Sequence, residues 1–156
     1  MRRILTRALI ALAITAVAAF SADNSLGTWK LNVEKSKYTP APSPVKSLTT
    51  TREASDGGVK VTTTGEQADG TPINATYTAK YDGKDVQITG NSPYDTIALK
   101  QVNANTLTDA RKKTGGKYQA TSRIVISDGG KTLTTTTKGT YTDGKAFAYT
   151  FVFDKQ

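Results

Sequence analysis

Regularly spaced turn signals constrain this chain more than any other feature. Asp-Gly pairs occur at 56–57, 69–70, 82–83, 128–129 and 143–144. Asp-Gly is the preferred pair for tight hairpin turns, because both central residues of such a turn need a positive φ. The segments between the pairs are rich in Thr, Val, Ile and Tyr, which are strand formers. This punctuation predicts short antiparallel strands joined by hairpins.

Hydrophobic alternation supports strands over helices. The clearest row is Phe147, Tyr149, Phe151 and Phe153, which alternate with small or polar residues. A period of two with one apolar face is typical of antiparallel strands that face water on one side. Ten strands are predicted, at 27–33, 45–54, 58–65, 72–81, 84–89, 94–102, 106–113, 117–127, 131–139 and 145–154. We therefore predict an all-β fold, an antiparallel up-and-down (meander) β-barrel of about 8–10 strands, with a sandwich as the alternative.

One long connection interrupts this meander. Residues 34–44 carry Pro40, Pro42 and Pro44 at alternate positions. Proline at this spacing favours an extended, polyproline-like segment and opposes a helix. We expect this loop to border the open mouth of the barrel.

The first 22 residues differ from the rest. Arg2, Arg3 and Arg7 precede an apolar run from 8 to 20, and small residues follow. This is the layout of a secretory signal peptide, and the run is too short for a membrane span of about 20 residues. Residues 1–22 are predicted to be a signal peptide and 23–156 a single domain, exported to the periplasm or the extracellular space. Three of the 21 basic residues and none of the 13 acidic ones lie in 1–22, so the predicted domain has a formal net charge of +5.

Composition excludes several functions. The sequence has no Cys and no His, which excludes a disulfide framework, an imidazole zinc site and a Ser-His-Asp triad. No calcium-loop motif and no convincing carboxylate pair is present, so we expect neither an enzyme nor a metal or cofactor. The basic residues are scattered apart from Arg111-Lys112-Lys113, and no basic stripe with aromatics predicts a nucleic-acid partner.

Several segments resemble a known group of proteins. Gly27-Thr28-Trp29 is similar to the Gly-x-Trp that opens lipocalins, and the string from Gly27 to Tyr38 followed by prolines resembles small exported bacterial lipocalin-like (calycin-type) proteins. Lys80 to Asp85, Tyr94 to Lys100 and the closing Asp154-Lys155-Gln156 are also similar. The resemblance covers most of residues 23–156. It implies a β-barrel without an assigned activity.

The departures from better-known relatives narrow the expected ligand. Fatty-acid-binding relatives carry Arg-x-Tyr on the last strand, whereas this chain has Phe147-Ala148-Tyr149 and no arginine there. Their helical lid is replaced by the Pro-rich loop. Haem-binding relatives need a His, and the biotin site of the avidin group is built from several tryptophans, whereas this sequence has one. The resemblance therefore implies no fatty-acid, haem or biotin role.

Trp29 is the first candidate for a special position. In a lipocalin-like barrel it is expected to plug the closed end beneath a basic side chain from a late strand, Arg123 or Lys155, in a cation–π contact. The alternative is that Trp29 lines a ligand cavity.

The inward-facing aromatic side chains have two interpretations. They either fill the core, or, mixed with small and hydroxylated neighbours, they line a cavity for one small ligand. The predicted ligand-binding residues are Tyr77, Tyr118, Ser122, Tyr149 and Phe151. We expect no arginine on these faces, so the ligand should be small, flat and weakly polar, hydrophobic or amphipathic. The predicted function is a monomeric ligand-binding barrel; the alternative is a filled barrel that acts through its surface as an envelope or protein-interaction module.

Overall fold

A computed structural model describes residues 22–127 and 129–156 of the chain. This part forms one antiparallel sheet of eleven strands, and it contains no helix. The strands are β1 (Gly27–Thr39), β2 (Val45–Ser55), β3 (Gly58–Gln67), β4 (Pro72–Lys80), β5 (Asp82–Gln87), β6 (Thr89–Asn91), β7 (Thr96–Asn103), β8 (Thr106–Lys112), β9 (Gln119–Ile126), β10 (Thr132–Thr140) and β11 (Ala146–Lys155). The predicted all-β meander is confirmed. The predicted signal peptide lies outside the described residues except for Ala22.

The sheet curls into a nearly closed barrel. Its order is β5-β7-β8-β9-β10-β11-β1-β2-β3-β4-β6, so the first and last strands of the described chain are neighbours. The two outermost strands, β5 and β6, are separated in the chain by Ile88 alone. The segment 82–91 thus pairs with β7 in its first part and with β4 in its second. This change of partner at Ile88 explains why one predicted strand, 84–89, is two short strands in the structure.

The first strand is longer than predicted. From Asn32 to Lys37 it advances five residues while its partner strand advances two, from Val152 to Thr150, so the additional residues bulge out. The Ser36 hydroxyl stabilises the bulge by donating to the Asn32 carbonyl at 2.7 Å and accepting from the Val152 amide at 3.0 Å. The bulge breaks the alternation of apolar residues. For this reason the strand was predicted to end at 33, and the segment 34–39 was wrongly assigned to the loop.

The hairpin turns depart from the predicted geometry. Among the described residues, only glycines have a positive φ. In the turn at 69–70, Gly70 takes φ 87°, whereas the Asp69 carboxylate accepts a hydrogen bond from the Thr71 amide at 2.9 Å. The Asp82 and Asp143 carboxylates make the same bond to the amide two residues on. The aspartates therefore stabilise these turns through their side chains.

The interior follows the predicted alternation on most strands. On β9 every second residue is buried, from Ala120 to Ile126, and on β11 Phe147, Phe151 and Phe153 are buried. Val33 is exposed although it continues the alternation of Trp29 and Leu31, because it lies at the start of the bulge in β1. Within residues 22–127 and 129–156, no helix is long and apolar enough to cross a membrane.

Candidate ligand-binding cavity

The barrel encloses a cavity of about 430 Å³. Exposed residues line one end of it, namely Pro44, Asn91 and Pro93, so the cavity reaches the surface there. We call this end the mouth. Trp29 lies on the cavity lining at the opposite, closed end. Pro44 brings the end of the Pro-rich loop to the mouth, as the sequence predicts.

One side of the cavity is built from stacked rings. We call Tyr118, Phe147, Tyr149, Phe151 and Phe153 the aromatic wall. The Tyr149 and Phe151 ring centroids are 4.1 Å apart, and those of Tyr118 and Phe147 are 5.8 Å apart. This wall follows directly from the alternation on β11.

Two further residues support the aromatic wall: Tyr38 extends it toward the mouth, and Gly139 leaves room for one of its rings. Tyr38, from the extended part of β1, stacks on Tyr149 with centroids 5.7 Å apart, and its hydroxyl hydrogen-bonds the Tyr141 hydroxyl. Gly139 gives the Phe147 ring its space, because a Cβ there would lie 2.8 Å from the tip of the ring. The rings therefore pack against one another along the wall.

The opposite side carries small side chains. The register places Thr50 of β2, Thr63 of β3 and Ala75 of β4 side by side, and all three line the cavity. The Thr50 and Thr63 hydroxyls lie 3.2 Å apart and satisfy each other. We call these three residues the small-residue wall. The cavity lies between the two walls because these side chains are too short to reach the rings.

An ion pair lies on β8 inside the barrel. Arg111 donates from Nη2 to Asp109 Oδ2 at 2.8 Å and from Nη1 to the Tyr149 hydroxyl at 2.8 Å. The Asp109 side chain is 1% exposed and that of Arg111 is 12% exposed. Among the described residues, Asp109 Oδ1 and Arg111 Nε are buried without a hydrogen-bond partner. A buried polar atom without a partner is unfavourable, so this ion pair is incompletely satisfied within the barrel.

A second arginine lies closer to the closed end. Arg52, on β2, is 5% exposed and lines the cavity. Its Nε donates to the Ser25 hydroxyl at 2.9 Å, whereas its Nη2 has no partner. The Ser25 hydroxyl donates in turn to the Asp23 carboxylate, which also accepts from the Tyr81 hydroxyl. Among the described residues, Arg52 forms no ion pair, and the Ser25 and Tyr81 hydroxyls connect it to the Asp23 carboxylate.

Trp29 closes the barrel floor. It is fully buried, and its indole Nε1 donates to the Ser25 carbonyl at 2.7 Å. Lys155 Nζ lies 5.1 Å from the ring centroid, a cation–π contact. Gly27 makes room for this lysine, because a Cβ there would approach Lys155 Cε to 2.9 Å. The Gly-x-Trp pattern thus has a local physical reason here: the glycine lets the lysine cover the tryptophan.

Tyrosine hydroxyls around the cavity resist ionisation. Burial raises the pKa of Tyr94 to about 12, although the nearby Arg111 guanidinium opposes the shift. Burial also raises the pKa values of Tyr77 and Tyr118 above the ordinary value. The guanidinium carbon of Arg111 lies 5.3 Å from the Tyr94 ring centroid. These hydroxyls are therefore neutral hydrogen-bonding groups at any physiological pH.

The structure brings together four of the five predicted ligand-binding residues. Tyr77, Tyr118, Tyr149 and Phe151 all line the cavity, and their contact with a ligand stays a prediction. Ser122 does not line it, because its hydroxyl lies 2.9 Å from that of buried Thr137 and is satisfied there.

The predicted partner of Trp29 is also corrected. Arg123 is exposed on the outer face of β9, between inward-facing Ser122 and Ile124. Side chains alternate along a strand, so Arg123 faces away from the barrel interior and from Trp29. Lys155, the other candidate from the sequence, occupies this position.

Arg52, Asp109 and Arg111 were not predicted to face the interior. The inward strand faces that carry the predicted ligand-binding residues have no arginine, but Arg52 of β2 and Arg111 of β8 line the same cavity, so the cavity is more polar than predicted. The signal was present in the period of two, since Leu107, Asp109 and Arg111 alternate on β8, as do Leu48, Thr50 and Arg52 on β2. Charged residues on such a row are normally assigned to the solvent face, because burial of a charge is unfavourable without a partner.

The site has no counterpart of a metal centre. In the part of the chain that the structure describes, no group of three or more metal-ligating acids, His or Cys lies together. The polar groups that line the cavity are guanidinium, carboxylate, hydroxyl and amide groups. Such groups bind organic polar groups by hydrogen bonds and charge.

Comparison with known proteins finds solved structures that are similar to this chain. No protein-family model and no curated protein matches this chain. The structure of zebrafish ileal bile acid-binding protein complexed with cholic acid is similar, with 14% sequence identity and a TM-score of 0.49. The match covers 86% of this chain and 100% of that one. At this level the likeness assigns neither a ligand nor a residue role to the present chain.

Proposed function

We propose that this protein binds a small, partly apolar molecule inside its barrel. The observation that carries the proposal is the cavity of about 430 Å³ between the aromatic wall and the small-residue wall. Ligand cavities for small molecules measure about 300–1,000 Å³ and combine an apolar lining with a few polar groups. The cavity has both properties, since Arg52, Asp109 and Arg111 lie among aromatic and aliphatic side chains.

The size of the cavity favours this proposal over the filled barrel. A barrel that acts only through its surface has no use for an interior space, and natural interiors are packed to a density of about 0.75. Here, a mouth lined by exposed residues leads to buried polar atoms without partners. A bound molecule would form hydrogen bonds with these atoms and would also fill the cavity.

We also propose that the protein binds its ligand without catalysing a reaction and that it is exported. The sequence has no Cys and no His, which excludes a Cys–His or Ser–His pair, so we propose a carrier or sensor of its ligand. The amino-terminal sequence supports export to the periplasm or beyond. Mass spectrometry of protein expressed with residues 1–22 should give a mature start between residues 20 and 23. An intact residue 1 in the exported fraction would contradict cleavage.

Titration with a neutral fluorescent arene tests ligand binding. N-phenyl-1-naphthylamine should bind one-to-one, with a negative change in heat capacity from apolar burial. The double variant Tyr149→Ala/Phe151→Ala should weaken binding more than ten-fold, because it removes two rings of the aromatic wall. Thr150→Ala/Val152→Ala is the matched control, since these residues alternate with the first pair on β11.

Two outcomes contradict the proposal. If the probe does not bind the unaltered protein saturably, the alternative function, a barrel that acts through its surface, is favoured. Equal weakening by the double variant and its control would place the binding site outside the aromatic wall. Circular dichroism of both variants establishes that each is folded.

A further inference from the structure

We infer that the ligand is an amphipathic organic monoanion whose charged group binds Arg52 at the closed end of the cavity. The inference rests on the proposed function and names the class of ligand. It also replaces the weakly polar ligand expected from the sequence. Its basis is the balance of charge and of hydrogen bonds on the cavity wall.

The charged side chains do not balance. Among the described residues that line the cavity, three are charged at neutral pH: Arg52, Asp109 and Arg111. Asp109 and Arg111 form an ion pair with a 2.8 Å contact and offset each other. Arg52 is left as one positive charge without an opposite charge on the wall. A buried charge of this kind favours a single negative charge in the ligand.

Arg52 also has a free donor. Its Nε is occupied by the Ser25 hydroxyl, whereas Nη2 is buried and unpartnered in a residue that lines the cavity. Asp23 is linked to Arg52 through the Ser25 and Tyr81 hydroxyls and does not pair with it directly, so it leaves this donor unsatisfied. An oxygen of an anionic group would accept from Nη2 in a charge-assisted hydrogen bond.

Arg111 is the weaker candidate for the same role. Its two Nη groups are already bound to Asp109 and Tyr149, and only Nε is free. A negative group beside Arg111 would also lie near the Asp109 carboxylate, which repels it. The charged group therefore belongs at Arg52, on the second strand of the barrel.

The rest of the ligand follows from the position of Arg52. The aromatic wall extends from Phe153 toward Tyr141 at the mouth, so an apolar body bound there lies above a charge at the closed end. Inorganic anions and acetate lack such a body. The expected class is an organic anion with one charge and a body large enough to contact the rings.

A matched pair of probes tests the charge directly. 8-Anilinonaphthalene-1-sulfonate has the arene skeleton of N-phenyl-1-naphthylamine plus one negative charge. Each is titrated fluorimetrically into the unaltered protein and into Arg52→Gln, Arg52→Lys and Arg123→Gln. Arg123→Gln is the matched control because it removes an arginine from the outer face of the barrel. The readout is the ratio of the two affinities, which does not depend on the fraction of protein that is folded.

The sulfonate should bind the unaltered protein about 10- to 100-fold more tightly than the neutral probe, the range of one charge-assisted hydrogen bond. Arg52→Gln should bring the ratio to about one, Arg52→Lys should give an intermediate ratio, and Arg123→Gln should leave it unchanged. Octanoate should displace the sulfonate, and acetate at the same concentration should not.

Each contrary result has a separate meaning. A ratio near one in the unaltered protein overturns the inference and leaves the proposed function intact, and this measurement needs no variant. A high ratio that persists in Arg52→Gln overturns the assignment to Arg52. Displacement by acetate as effective as by octanoate shows a simple anion site. If neither probe binds, the proposed function fails together with the inference.

Discussion

Both walls of the cavity are built from β-strands, but their inward side chains differ in size. On β11 every inward position from Phe147 to Phe153 is aromatic, whereas Thr50, Thr63 and Ala75 occupy neighbouring inward positions on β2, β3 and β4. A large aromatic side chain buries about 150–250 Å², far more than Thr or Ala. The difference teaches that the cavity is kept open where the short side chains of Thr50, Thr63 and Ala75 lie across from the rings, although Tyr77, the next inward residue on β4, is large.

The charged residues follow the same division. Arg52 belongs to the strand of Thr50, and its buried Nη2 has no hydrogen-bond partner among the described residues. Arg111, in contrast, donates to the Tyr149 hydroxyl on the aromatic wall and is held in place. Among the described residues, Asp109 Oδ1 and Arg111 Nε also lack partners, so the two sides differ in ion pairing: Arg111 is paired with Asp109, and Arg52 is not paired with an acid.

The largest expected effect concerns Trp29, which lies on β1 where the two walls meet, between β11 and β2. Trp29→Ala should lower the free energy of unfolding by about 3–5 kcal/mol, because it leaves a cavity in the floor and removes the bond to Ser25. Urea denaturation measures this change. A loss below about 1 kcal/mol would show that the floor does not depend on the ring, and exposed Val33→Ala on the same strand is the control.

The next prediction makes the small-residue wall large. Ala75→Phe should fill part of the cavity and weaken binding of N-phenyl-1-naphthylamine at least about 10-fold, or about 1.4 kcal/mol. Thr76→Phe is the control, because the next residue on β4 faces outward. Unchanged affinity in Ala75→Phe would show that the probe does not use the space between the walls.

The tyrosines provide a pH test. Their folded pKa values are raised, that of Tyr94 to about 12, whereas unfolded tyrosine titrates near 10. Their neutral form is favoured by the fold, so this contribution to stability is complete below about pH 10 and is lost as the pH rises toward 12. Denaturation from pH 8 to 12 should show this decline, and Tyr94→Phe should make it shallower. A flat profile would contradict burial of these hydroxyls.

The smallest effect is expected outside the barrel. Thr51 of β2 faces outward beside Thr50, and its hydroxyl lies 3.3 Å from that of Thr28. Thr51→Val should change the free energy of unfolding by no more than about 0.5 kcal/mol, because solvent replaces the lost bond. A larger change would show that the outer threonines contribute to stability as the inner residues do.

Most of the fold could be predicted because local signals agree with it. Turn residues and the row from Phe147 to Phe153 both require strands, and together they predict a closed meander. The bulge in β1 could not be predicted, since Ser36 acts through bonds to the distant Val152 amide. The change of partner at Ile88 likewise depends on strands far apart in the sequence.

The candidate site was predictable where it is apolar. The positions of Tyr118, Tyr149 and Phe151 follow from alternation alone. The place of Ser122 outside the cavity lining could not be predicted, because alternation gives the face of a residue and not the partner of its hydroxyl. The arginines were missed because their burial depends on Ser25, Asp109 and Tyr149, which only the folded barrel brings near them.

The pairing of β1 with β11 has a consequence for the order of folding. Trp29 is covered by Lys155, and the Gln156 amide donates to the Thr28 carbonyl, so the floor joins residues more than 120 positions apart. Contacts of such long range slow the search for the native state, because the entropy of closing the loop is lost before they form. During synthesis, the floor can form only after the last strand has emerged. Until then, β1 and β10 lack the strand that pairs with both of them, and the chain is open to capture by proteins that bind unfolded polypeptides in its compartment.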